Sequence, residues 1–306
     1  MFGGLEEQAA NQLVRQALDA GVNLFDTANI YANGRSEELL GKALKGHRQD
    51  VLIATKVRGR VGSGPNELGL SRLHIMRQVE ASLKRLGTDY IDLYQIHNPD
   101  RLTDWEDTLR ALDDLVRSGK VRYIGCSNLF AWQIMKARGI SERNGLHAFK
   151  SNQAYYSLAA RELEREIIPA MQDQKMGLLV WSPLAGGFLS GKYSREQQGS
   201  DEDRHTKFAF PPVDRERGFA ILDVLREIAE AHETSVSSIA LAWLLHQPAV
   251  TSVIVGAKRS NQLAENLAAA DIQLTVDELA RLDEVSRVPE EYLTWEFLQE
   301  DDSIRR

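Results

Sequence analysis

Cysteine is nearly absent. Cys126 is the single one in 306 residues, so an intrachain disulfide is impossible and a cysteine-built structural zinc site is excluded. Long apolar runs are missing too: no stretch approaches the roughly 18 consecutive apolar residues of a membrane span. The start, Met1-Phe2-Gly3-Gly4-Leu5-Glu6-Glu7, has neither the basic n-region nor the apolar h-region of a secretory leader. Positive charge is in deficit, with 37 Lys and Arg against 44 Asp and Glu and a formal net charge of -7. That balance argues against a nucleic-acid surface. It leaves room for an anionic small ligand, which needs only a local cluster of cations. No Gly-x-Gly-x-x-Gly turn follows the first apolar run, which disfavours a doubly wound open sheet. His-x-His is lacking, and His47, His74, His147, His205, His232 and His246 show no metal spacing, so no metal is expected. These absences predict a soluble, cytoplasmic protein without a nucleic-acid or membrane partner.

What is present is alternation. Short, continuously apolar runs lie at 22–25, 51–55, 90–96, 121–126, 148–155, 177–181 and 250–255, as expected of strands buried on both faces. Between them run amphipathic stretches at 5–20, 36–44, 72–86, 105–117, 131–138, 161–174, 215–232, 236–246 and 261–269. Ile75, Val79, Leu83 and Leu86 share one helical face. Ser71 and Thr103 read as N-caps, Gly87 and Gly119 as helix-ending glycines. Glu37 and Glu38 read as a solvated first turn complementing the helix dipole. Repetition of strand and helix without an inserted domain predicts a (β/α)8 barrel. Residues 192–217 read as a long polar loop, and the tail from Pro289 is acidic with Tyr292, Trp295 and Phe297.

Asp26, Tyr31, Lys56 and His97 lie at or just past the ends of the first three apolar runs. In a parallel barrel those ends share one rim, where functional residues of this architecture gather. Each alone has a plainer role: a turn former, a half-buried aromatic, a snorkelling lysine, a core histidine. Together they make a proton-donor site. A nearby ammonium stabilises a phenolate, and Asp26 offsets the desolvation of a buried Lys56. A phenol so assisted can protonate a carbonyl oxygen. No side chain supplies a hydride, so carbonyl reduction requires a cofactor.

The segment Phe25-Asp26-Thr27-Ala28-Asn29-Ile30-Tyr31-Ala32-Asn33-Gly34-Arg35-Ser36-Glu37 resembles the aldo-keto reductase signature. Further matching segments follow in the family's order. They are Ala54-Thr55-Lys56, Asp89 through His97, Ile124-Gly125-Cys126-Ser127-Asn128, Ser151-Asn152-Gln153, Trp181 through Gly187, and Gly256-Ala257-Lys258-Arg259 through Glu265-Asn266. The Trp-Ser-Pro-Leu and Gly-Ala-x-x versions look like the branch with bacterial carbonyl reductases, aryl-alcohol dehydrogenases and potassium-channel β subunits. The resemblance implies one barrel domain over residues 1–306, with a C-terminal helix and tail, that uses NADP(H). It implies Tyr31 as proton donor, Lys56 as its activator, Asp26 as the partner of Lys56, and His97 as the group orienting the substrate carbonyl. It places Ser127, Asn128 and Gln153 on the nicotinamide carboxamide and Trp181 under the ring. Ser182, Pro183, Leu184, Ala185, Gly186 and Lys192 would line the pyrophosphate. Gly256, Lys258, Arg259, Gln262, Glu265 and Asn266 would hold the adenosine end. Lys258 and Arg259, near a helix N-terminus, favour the dianionic 2′-phosphate of NADP(H) over NAD(H).

The family pattern also carries a first strand and a hairpin ahead of Phe2-Gly3-Gly4, and this sequence starts at Met1. The expected fold is therefore a (β/α)8 TIM barrel lacking its first strand and N-terminal hairpin, with an open seam between the strands at 22–25 and 250–255. The expected activity is reduction of a small-molecule aldehyde or ketone. The substrate pocket falls to residues 29–35, 57–69, 98–104, 192–217 and the tail; a homo-oligomer is compatible. A binding module that senses NADPH, as channel β subunits resemble, is the first alternative. A metal-dependent barrel hydrolase is the second, weakened by the single histidine of His97-Asn98-Pro99-Asp100.

Overall fold

The computed structural model describes residues 4–195 and 210–292. Helix α1 (Glu7–Asp19) buries Ala10, Leu13, Val14 and Ala17, the spacing of one helical face. It leads into β1 (Leu24–Asp26), α2 (Arg35–Ala43), β2 (Leu52–Val57), α3 (Arg72–Leu86), β3 (Ile91–Ile96), α4 (Trp105–Arg117) and β4 (Val121–Ser127). The alternation continues through α5 (Ala131–Asn144), β5 (Ser151–Tyr155), α6 (Ile167–Asp173) and β6 (Gly177–Trp181). Helices α7 (Arg215–Ala231) and α8 (Val236–Leu245) precede β7 (Val250–Val253), and α9 (Ser260–Ala268) and α10 (Val276–Ser286) follow it.

The strands form one curled sheet in sequence order, β1 to β7, with every neighbouring pair parallel. The edge strands β1 and β7 do not pair with each other, and no strand fills the gap among the described residues. The expected seam is there. The helical layer bridges what the strands leave open: Leu13 and Ala17 of α1 cluster with Leu263 of α9, Phe25 and Leu267. The Gln16 side-chain amide donates to the Ser260 carbonyl at 2.9 Å.

Several local expectations hold and several shift. Ser71 caps α3 by accepting from the His74 amide, and Gly87 ends it with φ 65°, a conformation that favours glycine. The N-cap of α4 is Asp104, not Thr103; the Thr103 hydroxyl donates to Asp100 instead. The stretch 161–174 is not one helix. A 3-10 turn, Glu162–Glu164, precedes α6, because Pro169 has no N–H and its ring crowds the carbonyl of Arg165. The loop expected at 192–217 gives way to α7 at Arg215, and residues 196–209 lie outside the described residues, as do Trp295 and Phe297 of the tail. No helix among the described residues is long and apolar enough to cross a membrane.

Candidate active site

Parallel register does most of the assembly. Asp26 closes β1, Lys56 pairs with Gln95 across β2 and β3, and His97 follows β3 with its amide bonded to the Val57 carbonyl at 2.9 Å. Tyr31 opens a tight turn, Tyr31–Gly34, in which Ala32, Asn33 and Gly34 all take positive φ. That turn is pinned from below. A Cβ on Gly34 would lie 2.8 Å from the Arg85 side chain, and Arg85 pairs with Glu37 at 2.7 Å. Glu37 is fully buried and also accepts from the Thr55 hydroxyl at 2.6 Å. The solvated role expected of Glu37 is therefore wrong. Tertiary packing of α2 on α3 and β2 covers it, and a buried carboxylate persists only when paired and hydrogen-bonded.

The four rim residues converge. Lys56 is completely buried, and its ammonium is bonded to Asp26 Oδ2 and, at 2.8 Å, to the Thr27 carbonyl. It lies 5.1 Å from the centroid of the Tyr31 ring. The Tyr31 hydroxyl stands 3.5 Å from His97 Nε2, with the rings edge to face. Burial first, then the Lys56 and Arg58 charges, push the His97 pKa from 6.5 down to about 4, so the imidazole is neutral near pH 7. Its Nδ1 is buried without a partner among the described residues.

The nicotinamide-end candidates stand beside this cluster. Asn128, at φ 59°, donates to the His97 carbonyl at 3.1 Å and accepts from the Trp181 indole at 3.0 Å. The Ser127 hydroxyl donates to the Gln153 carbonyl at 2.8 Å, while the Gln153 amide donates to Asp26 Oδ1 at 2.8 Å. Trp181 stacks on both Tyr155 and Phe210, with centroids 5.0 and 6.0 Å away. Beside it a pocket of about 450 Å³ is lined by Tyr155, Phe210 and Arg217, among others.

Past β6, Ser182, Ala185, Gly186 and Gly187 all have positive φ, and the Ser182 hydroxyl accepts from the Gly186 amide. Pro183 and Leu184 complete this turn, and Lys192 lies just beyond it. At the far end Gly256 is exposed in open space. Lys258 and Arg259 are exposed at the N-terminus of α9 with no ion pair among the described residues. Gln262 accepts from the Lys258 amide, Glu265 is exposed and Asn266 buried.

The aldo/keto reductase family model matches residues 1–287. The chain belongs to the aldo/keto reductase family. It is 38% identical to versiconal hemiacetal acetate reductase of Aspergillus parasiticus, over 92% of this chain and 87% of that protein. An uncharacterized oxidoreductase of Bacillus subtilis is 37% identical with the same coverage. A probable voltage-gated potassium channel subunit beta of Arabidopsis thaliana is 38% identical over 89% of this chain and 85% of its own length. Membership in the aldo/keto reductases supports carbonyl reduction as the general chemistry.

One residue of this aldo/keto reductase site was not among those expected from the sequence, and a second was expected only as part of a segment. Gln95 is fully buried and donates to Asp26 Oδ1 at 3.3 Å, its own oxygen left without a partner. Its signal was a polar side chain inside an apolar strand, two positions before His97 and so on the same face. Arg58, one step past β2, falls in the 57–69 segment expected to line the substrate pocket but was not singled out there; its charge contributes to the His97 shift.

Proposed function

We propose that this chain is an NADPH-dependent reductase of aldehydes or ketones, working as one barrel domain over residues 1–306 in a cytoplasmic setting. The observation that carries the reading is the Tyr31 hydroxyl facing His97 Nε2 above a buried Lys56–Asp26 pair. A carbonyl oxygen placed between phenol and imidazole receives a hydrogen bond from Tyr31 and a second from the neutral His97 ring. As negative charge grows on that oxygen, Tyr31 gives up its proton. Lys56 stabilises the phenolate left behind, because the two are close and water is excluded from the ammonium. Asp26 pairs with Lys56 and fixes it in place, and Gln95 and Gln153 hold the other carboxylate oxygen.

When bound, NADPH would supply the hydride for the carbonyl carbon, which no side chain can supply. The residues present suit it: Ser127, Asn128, Gln153 and Trp181 flank the tetrad, the Ser182–Gly186 turn and Lys192 follow, and Lys258 and Arg259, without ion pairs among the described residues, offer their cations to a 2′-phosphate. Fluorescence titration with NADPH, then assays of NADPH oxidation on a carbonyl panel, test the reading. Tyr31→Phe is expected to abolish turnover while cofactor binding persists; undiminished turnover would overturn the mechanism. A second reading, an NADPH-binding regulatory module, draws on the likeness to a channel subunit beta. Tight NADPH binding with no turnover on any carbonyl would favour it.

A further inference from the structure

Resting on the reductase reading, we propose that Arg58 is an anion-recognition site of the substrate pocket, selecting carbonyl compounds that also carry a carboxylate or a phosphate. The position is defined from both sides. Arg58 follows the last residue of β2, whose carbonyl receives the His97 amide. The next residue, Gly59, packs so closely on Ile30 that any Cβ there would collide with it, and Ile30 precedes Tyr31. The Arg58 backbone is therefore held between the turn bearing Tyr31 and the start of the His97 loop, and its charge acts on His97.

Its charge is uncommitted. Arg58 is half-buried, no carboxylate lies within 4.0 Å of it among the described residues, and its Nε is buried without any partner. Its charge is felt at Asp100, whose carboxyl it helps hold below the usual range. A guanidinium kept for structure alone would pair there. Asp100 is instead filled by the Leu70 amide at 2.8 Å, the Thr103 hydroxyl at 2.8 Å and the Leu102 amide at 3.0 Å. A fork of N–H donors in this state fits a planar carboxylate or a phosphate bidentately.

The backbone carries a second, independent sign. Arg58 has φ 128°, a conformation suited to glycine and strained for a side chain of this size. The loop's own bonds hold it there: the Gly69 amide donates to the Arg58 carbonyl at 2.9 Å, and the Val61 amide to the Glu67 carbonyl at 3.0 Å. Glycine would satisfy this backbone without strain. Arginine adds instead a cation whose charge acts on His97, one of the groups that would receive the carbonyl.

Matched pairs of substrates test the assignment: 4-carboxybenzaldehyde against benzaldehyde, and glyceraldehyde 3-phosphate against glyceraldehyde. The unmodified protein should favour the anionic member of at least one pair in kcat/KM, and that pair names the anion. Arg58→Gly should cut the anionic-to-neutral ratio by about ten- to a hundredfold, the worth of a charge-assisted hydrogen bond, chiefly through KM. Arg58→Lys should restore part of it. Because glycine relieves the strained φ, the Arg58→Gly protein should melt no lower than the parent, so the loss is not unfolding. A ratio near one in both pairs, an equal loss for both members, or a parallel loss of NADPH affinity would overturn the proposal. If no carbonyl turns over at all, the reductase reading fails. Calorimetric binding of 4-(hydroxymethyl)benzoate against benzyl alcohol, with NADPH present, then decides Arg58. Carboxylate binding lost in Arg58→Gly supports the site, and its absence in the parent sinks it.

Discussion

Asp26 accepts from three side chains at once, Lys56, Gln95 and Gln153, and so holds its lysine without a net buried charge. At this scale the resemblance already named the tetrad, because each member sits at a strand end in a recognisable run. The residues that support it were less legible. Gln95 and Glu37 are polar side chains whose burial depends on elements far away in sequence, and the Glu37 pattern even suggested solvent. His97 gives a test in pH. Its folded pKa, about 4, lies below its ordinary 6.5, so between these values the unfolded chain binds more protons. The stability contributed by the neutral ring is therefore present above pH 6.5 and is lost as pH falls toward 4, up to roughly 3 kcal/mol. Denaturant midpoints from pH 7 to 4 should fall more steeply for the parent than for His97→Asn; parallel profiles would contradict the assigned environment.

Among the elements, α2 and α3 meet at a close approach. A Cβ on Gly41 would strike the Leu86 backbone, which cannot give way as a flexible side chain can. Gly41→Ala should destabilise the fold by about 1–3 kcal/mol through overpacking, although alanine is the better helix former. A thermal melt at or above that of the parent would refute the packing argument. Because α2 begins at the turn bearing Tyr31, the same change should lower turnover. Element positions were mostly legible from periodicity, as in α3, whose apolar face and Ser71 cap were both visible. Boundaries failed where a side chain had a choice of partners. Thr103 turns to Asp100 and leaves the cap to Asp104, while Arg161 is drawn from a helical role into pairs with Glu164 and Asp283.

Across the whole molecule, the proposed cofactor path runs from the tetrad past Trp181 to α9, on the side of the sheet that borders the seam. Two exposed cations at the end of that path are expected to set the choice of nucleotide. Replacing Lys258 and Arg259 by alanine should weaken NADPH by about tenfold or more, the loss of charge-assisted bonds to one phosphate, and NADH far less. Fluorescence titration with both nucleotides checks this, and an equal loss for the two would remove the 2′-phosphate from the account.

By itself the sequence determined the alternation of strand and helix, the parallel barrel it implies, and the four rim residues. These are local: runs, caps and residues at strand ends are set by near neighbours and period. Only the tertiary structure decided that Glu37 is buried, that Gln95 and Gln153 share Asp26, and that Arg58, strained and without an ion pair among the described residues, puts its charge on His97. Those facts depend on which distant surfaces come together to exclude water, and burial turns an ordinary polar side chain into a partner or a ligand site.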